Sequence, residues 1–569
     1  MKNILKEHYI AIILSVIIGF SVFYPQIYAI NSAGSGFQGI YKSVANDDVY
    51  YRVRAKEVLD GHPTLGNPYI YEHKNENSMQ FWLPDYLLAK PIGLFFGGDV
   101  NAGFMFNMFF LPIIVFLLTY LIFFSLLKDR LLSISGTLFL NGGLFFYILG
   151  RMPSPTFNII FWLTAFYFLF KFSKSGGKIY GVLATLNFGF LFYVYTYYWT
   201  LFAVFLVVFA VCGKLLLNGF KLKPYVFILG GGFAIGIPYF LEMWQSSKLP
   251  YYGETLARLG MLDTHFPSGI KIVAMASILI LLFLFLWKKK IIQPDTASVL
   301  LGSAVLSSAI VANQHIITGK NLEFSSHYWQ QSAFCFAFLS LFFLNELFKN
   351  EKFSKWKKWG TTVVIIVAIF FAFTQMSDKI QEESYYDSLT LKWQNYAPAF
   401  NWLNNNAPKE SVVFANSEAS GFIPLYTSDN IYYGGLTYGF FLSDAEVRER
   451  FIINNFWENF TEEFVKKNQQ AFFGTQFTNK YAHDQSKNKL RQLLFLKPVN
   501  YEKIPEGEIE NVMALSDEIK KSGFEKAVKK YRINYLLWDK ISNPEWQPKK
   551  YDFLKPVYED GRFVLYKAI

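Results

Sequence analysis

Cysteine is nearly missing from this chain of 569 residues: Cys212 and Cys335 are the only two, and both lie inside apolar runs. Two such residues cannot build a disulfide framework, and alone they cannot form a structural zinc site. Their expected role is that of small apolar side chains. Charge is also scarce. Only 17% of residues are charged, against about 25% in soluble domains, and the mean hydropathy is +0.22. The deficit is uneven. Charges are sparse up to about Thr374 and abundant after Asp378, which is the main boundary in the sequence. No internal repeat or low-complexity linker stands out.

What is present is apolar and aromatic: 52% hydrophobic and 20% aromatic residues. A spanning helix needs about 20 mainly apolar residues. Eleven segments qualify as candidates, near 9–30, 103–127, 131–150, 156–170, 179–195, 197–213, 225–243, 270–287, 297–317, 328–347 and 359–376. The first is long, has no clear small-x-small cleavage site and ends in aromatic residues at Tyr24-Pro25. It reads as a retained anchor.

The net charge of +11 does not point to nucleic acid, because the excess Lys sits in short clusters between apolar runs. Lys2 and Lys6 precede the first span. Clusters at Lys128/Arg130, Lys171/Lys174/Lys178, Lys214/Lys221/Lys223, Lys288–Lys290 and Lys349–Lys358 follow every second one. The same rule splits the charge-free stretch from Ile179 to Gly213 into two spans with a turn around Tyr195–Trp199. The N-terminus is then cytoplasmic, in a plasma or inner membrane. The expected fold is mainly α: a polytopic transmembrane bundle over 1–376 and an extracytoplasmic α/β domain over 377–569. The outer segments are 31–102, Gly150–Pro155, 244–269, Thr318–His327 and the tail.

Within the tail, Ser411–Ala415 and Tyr531–Trp538 read as strands, Glu446–Asn468 as helix, and Pro556–Tyr566 as a hairpin turning at Asp560-Gly561. No nucleotide loop, metal cluster or nucleophile elbow occurs there. Within 244–269, Gly253–Leu262 reads as an amphipathic piece lying on the membrane surface or gating a cavity.

The first outer segment carries Asn46-Asp47-Asp48-Val49-Tyr50-Tyr51-Arg52-Val53-Arg54-Ala55, with Gly61 a plausible helix terminator. A second amphipathic stretch follows at Gln80–Phe96. Asp47 and Asp48 suit a helix N-terminus, where acids cap free N–H groups. They also suit proton abstraction or cation binding. The string Asn46-Asp47-Asp48-x-Tyr50-Tyr51, just after a first span, resembles the first outer loop of membrane glycosyltransferases of the GT-C superfamily. It is similar to that of oligosaccharyltransferase catalytic subunits. The resemblance implies an acid at the acceptor site, here Asp47 or Asp48, and a donor sugar on a polyprenyl phosphate or pyrophosphate. It also implies a divalent cation (Mg2+ or Mn2+), for which Asp47, Asp48 and Glu323 are the candidate ligands.

Two family motifs are missing. After the third span stands Gly150-Arg151-Met152-Pro153-Ser154-Pro155, with an Arg but no acid, and the Trp-Trp-Asp-type motif is absent. The expectation is therefore transfer of single sugars to a glycan, lipid or protein acceptor, rather than of whole glycans to Asn. Arg151, Lys320 and His327 are candidate phosphate contacts, a guanidinium matching phosphate well. Tyr50, Tyr51, Arg52, Arg258, His265, His315 and Glu323 are candidates for support. The competing readings are a lipid or polysaccharide transporter, a non-catalytic scaffold, and oligosaccharyltransferase-like transfer of a glycan to protein. The first is disfavoured because the span interiors hold essentially no acids.

Overall fold

The structure, a computed structural model, describes residues 2–43, 47–77, 81–262, 264–321, 325–385 and 387–569. It is a helical membrane bundle joined to a small α/β domain. Among the described residues, nine helices are long and apolar enough to cross a membrane, and the shorter Lys178–Val194 makes a tenth. The segment expected as a span at 131–150 is a broken helix. Arg130–Leu138 is α-helical, Phe139–Leu144 is π-helical and Phe146–Ile148 is 3-10. The irregularity coincides with Asn141-Gly142-Gly143, where helix propensity is low and Phe371 of the last span packs onto Gly143. The segment nevertheless connects the two ends of the bundle. Arg130 pairs with Glu7 at one end, and Arg151 pairs with Asp47 at the other. Eleven helical segments thus follow the order expected from the Lys clusters.

The charge-free stretch is a hairpin. Helices Lys178–Val194 and Thr196–Leu216 are separated by Tyr195 alone, in extended conformation. Phe188 and Phe202, each seven residues from Tyr195, lie with ring centroids 5.4 Å apart, so the chain doubles back. Lys178–Val194 also packs closely on Lys223–Ser246. A Cβ at Gly232 would fall 2.0 Å from Phe188, and one at Gly236 would fall 2.7 Å from Phe192. Small residues let membrane helices approach this way. Leu281, Phe370 and Phe373 point outward, mostly exposed, as a lipid-facing surface requires.

In the first outer segment, Asp48–Asp60 is a helix ended by Gly61 in the left-handed conformation, whose N–H bonds the Glu57 carbonyl. Leu83–Phe95 is a second helix with Leu94 and Phe95 exposed, as expected for an element at the membrane surface.

The C-terminal domain is built on a five-stranded sheet of order β2-β1-β3-β5-β4. Its strands are β1 (Val412–Phe414), β2 (Asn430–Ile431), β3 (Tyr535–Asp539), β4 (Leu554–Glu559) and β5 (Phe563–Ala568). β1 lies parallel to β2 and β3, and β5 is antiparallel to β3 and β4. The expected helix 446–468 is two, Asp444–Asn454 and Glu462–Lys467. Thr461 caps the second by accepting from the Phe464 N–H.

The domain is bound to the outer loops by polar contacts. The Ile431 N–H donates to the Tyr69 carbonyl at 3.0 Å, and buried Arg450 pairs with Glu72 at 2.9 Å. His73 bridges Glu76 (2.8 Å) and Glu446 (3.0 Å). Burial opposes charge on His73, but the hydrogen bonds to Glu446 and Glu76 outweigh it and raise its pKa to about 9. A raised histidine pKa contributes stability that is complete below the unfolded value, about 6.5, and is lost as pH climbs through 9. The thermal midpoint should therefore fall between pH 7 and 9.5, and His73→Gln should flatten that decline. A decline of equal size in the variant would count against the bridge.

Candidate functional site

A cavity of about 440 Å3 opens where the outer segments meet the C-terminal domain. Asp47 and Trp82 reach it from the first outer loop, Arg151 from the second, Tyr195 from the hairpin turn, and His327 from the start of the penultimate span. The C-terminal domain closes it with Tyr438 and Phe440. Segments expected on one side of the membrane thus line one space.

Asp47 sits at the N-cap of its helix but makes no capping hydrogen bond. Its carboxylate instead accepts from Arg151. Successive residues on a helix point about 100° apart, and here the two acids diverge. Asp48 faces inward, fully buried, 2.6 Å from Arg52. Arg52 also donates to Asn101 (3.1 Å) and to the Lys42 carbonyl (3.1 Å). Of the two aspartates, Asp47 alone is at the cavity. Asp48 and Arg52 form an internal pair that fixes the helix.

Arg151 leaves a donor over: its Nε is buried and meets no acceptor among the described residues. His327 shares a 2.7 Å hydrogen bond between Nδ1 and the Tyr195 hydroxyl. Burial first, and Arg151 second, push the His327 pKa down to about 4. The imidazole is therefore neutral at physiological pH. It lacks the positive charge that an ionic phosphate contact would require. Tyr50 is held in the wall by Arg54, which donates to its hydroxyl at 2.8 Å and to Asp85 at 2.8 Å. Tyr51 lines the wall beside it.

The other sequence candidates lie elsewhere. His315 is buried, its Nε2 3.0 Å from the Phe266 carbonyl. His265 bonds the Ile316 carbonyl at 2.9 Å. Together they tie the 313–321 turn to the 259–269 loop. Lys320 is exposed and does not line the cavity. Asn46 and Glu323 lie outside the described residues. Within Gly253–Leu262, Leu259 and Met261 line the cavity. The helical part of that segment, Tyr252–Arg258, docks on the C-terminal domain. There the buried Arg258 donates to the carbonyls of Tyr438 (2.7 Å), Phe440 (3.0 Å) and Leu442 (3.1 Å) and pairs with Asp444.

The metal expectation finds no ligand set among the described residues. Asp48 is taken by Arg52, Asp47 is paired with Arg151, and no group of three His, Cys, Asp or Glu side chains comes together. A hard divalent cation needs several oxygen ligands.

Several lining residues were not singled out in the sequence. Trp82 and Glu242 both line the cavity, and Tyr193 and Tyr239 stand nearby on their spans. An acid near the end of an apolar helix is the readable signal for Glu242. In all, seven tyrosines line the cavity, a surface that offers both flat apolar faces and hydroxyl groups, as a polyhydroxylated ligand requires.

No family model matches the sequence, and no curated protein matches it. Among solved structures, the chain is similar to the oligosaccharyltransferase of Archaeoglobus fulgidus. The apo form shares 12% identity over 94% of this chain and 69% of that one, with a TM-score of 0.47. A form of that protein in complex with an inhibitory peptide and a dolichol-phosphate shares 12% identity over 95% and 70%, with a TM-score of 0.46. A form in complex with Zn and sulfate gives 13% identity over 93% and 68%, with a TM-score of 0.46.

Proposed function

We propose that the protein is an inverting membrane glycosyltransferase that moves a sugar from a polyprenyl-phosphate donor to an extracytoplasmic acceptor. The observation that carries this reading is the meeting of Asp47 and Arg151, 104 positions apart, in one aromatic cavity beside the membrane-spanning helices. The likeness of the Asn46–Tyr51 string to GT-C first outer loops supports it further.

In this reading the Arg151 guanidinium, which lines the cavity, draws the donor phosphate in a charge-assisted contact. Asp47, kept oriented by the same guanidinium, accepts the proton of the acceptor hydroxyl. The acceptor oxygen bonds to the anomeric carbon as the bond from that carbon to the phosphate oxygen breaks. The electron pair leaves on the phosphate, stabilised by Arg151. Trp82 and the tyrosines hold the sugar rings, and the C-terminal domain forms the acceptor side.

The test is donor turnover by the purified protein in nanodiscs, with water as fallback acceptor. A polyprenyl-phosphate hexose should release free hexose and polyprenyl phosphate, while a nucleotide sugar should be inert. Turnover of the nucleotide sugar, or of neither donor, would overturn the proposal.

A further inference from the structure

The soluble domain carries an apolar tip that its own core does not use. The helix Gln476–Leu493 ends in Leu490-Arg491-Gln492-Leu493-Leu494-Phe495-Leu496. Leu493 is 75% exposed and Phe495 98%, and Leu490, Leu494 and Leu496 are all at least half exposed. Leaving such side chains in water forgoes the gain of burying them, and a contiguous exposed apolar patch marks an interaction site.

The tip is not a loose end. Asn488 bonds Val499 twice, donating to its carbonyl at 2.7 Å and accepting from its N–H at 2.8 Å. The Arg491 Nε donates to the Lys497 carbonyl at 2.8 Å, and the Leu496 N–H donates to the Arg491 carbonyl at 2.8 Å. Phe495 turns in the left-handed conformation, with φ 58°. The loop is preorganised to present its leucines and Phe495 outward.

Its direction is set by the helix that carries it. Thr475, just before the helix, donates from its N–H to the Arg258 carbonyl at 2.8 Å. Asn479 lies against Gly260, and the His483 ring lies 5.9 Å from Phe266. As the helix advances from 475 to 483, its partner advances from 258 to 266, toward the span that begins at Ile270. The helix therefore descends along the bundle toward the bilayer. At 1.5 Å per residue, Leu493 stands about 15 Å beyond His483. Lys489, Arg491 and Lys497 flank the apolar residues.

We propose that residues 490–499 form a wedge that inserts into the outer leaflet of the bilayer, with lipid as its partner. The leucines and Phe495 enter the headgroup–acyl boundary, while Lys489, Arg491 and Lys497 meet anionic headgroups. The wedge gives the C-terminal domain a second attachment, separate from the contacts that close the cavity, and it does not depend on the transferase reading.

The test places a polarity-sensitive fluorophore on Phe495→Cys, in full-length protein with Cys212 and Cys335 replaced by Ala. Lys526→Cys on the same domain serves as the aqueous control. In nanodiscs containing anionic lipid, the label at 495 should emit at shorter wavelength than the control and lose most of its intensity when nitroxide-labelled lipids are included. Emission like that of the control would overturn the proposal. So would a blue-shifted label untouched by nitroxide lipids, which would mean that protein, such as a second copy of the chain, covers the tip.

Discussion

Asp47→Asn is expected to lower donor turnover by about 10^2–10^4-fold, the range for losing a general base, while leaving the protein folded. The amide keeps the shape of the side chain and removes both the proton acceptor and the charge opposite Arg151. Asp47 is about one-third exposed in the cavity wall, and partly exposed pairs contribute at most about 1 kcal/mol, so the thermal midpoint should hardly move. Asp48→Asn should behave in the opposite way. Its carboxylate and the Arg52 guanidinium are both almost fully buried, and breaking such a pair costs about 3–5 kcal/mol. Unfolding should come at clearly lower temperature, with turnover per folded molecule retained. Measuring turnover and thermal midpoint on both variants separates the two roles. Equal effects on turnover would assign the base wrongly.

Arg258→Met is expected to release the C-terminal domain from the cavity. The guanidinium is buried and fills the carbonyls of Tyr438, Phe440 and Leu442 while pairing with Asp444. Methionine matches part of its volume but supplies no donor. Each carbonyl left unpaired costs about 1–3 kcal/mol, and Asp444 loses its cation. Tyr438 and Phe440 belong both to this strip and to the cavity wall. Backbone amides over 436–444 should exchange markedly faster with deuterium, and turnover should fall although no group proposed to do chemistry has been touched. Unchanged exchange across 436–444 would show that the docking rests on other contacts, such as Arg450 with Glu72.

Much of the architecture was legible because membrane insertion writes it plainly. Apolar length and alternating Lys clusters gave the order of the helices and the hairpin at Tyr195. Gly61 gave the end of the first outer helix. The broken helix over 130–148 was not legible, since its apolar length is that of a regular span and only Asn141-Gly142-Gly143 hints at the irregularity.

The site was legible in part. Asp47 and Arg151 were both singled out, but their pairing links positions far apart in the chain, which no local pattern encodes. The choice between Asp47 and Asp48 had a readable signal: Arg52 stands four residues after Asp48, the spacing of a helical ion pair. Arg258 and His315 carry chemistry-bearing groups for architectural reasons, and composition cannot distinguish those uses. The metal expectation named Asp47, Asp48 and Glu323, of which Asp48 is buried against Arg52 and Glu323 lies outside the described residues.

The most direct measurement is an experimental structure with a non-hydrolysable polyprenyl-phosphate sugar. The account predicts the phosphate within about 3 Å of the Arg151 guanidinium, with the sugar among the tyrosines and its anomeric carbon facing the Asp47 carboxylate. A phosphate bound at the exposed Lys320 turn, or a sugar outside the cavity that Asp47 and His327 share, would contradict it.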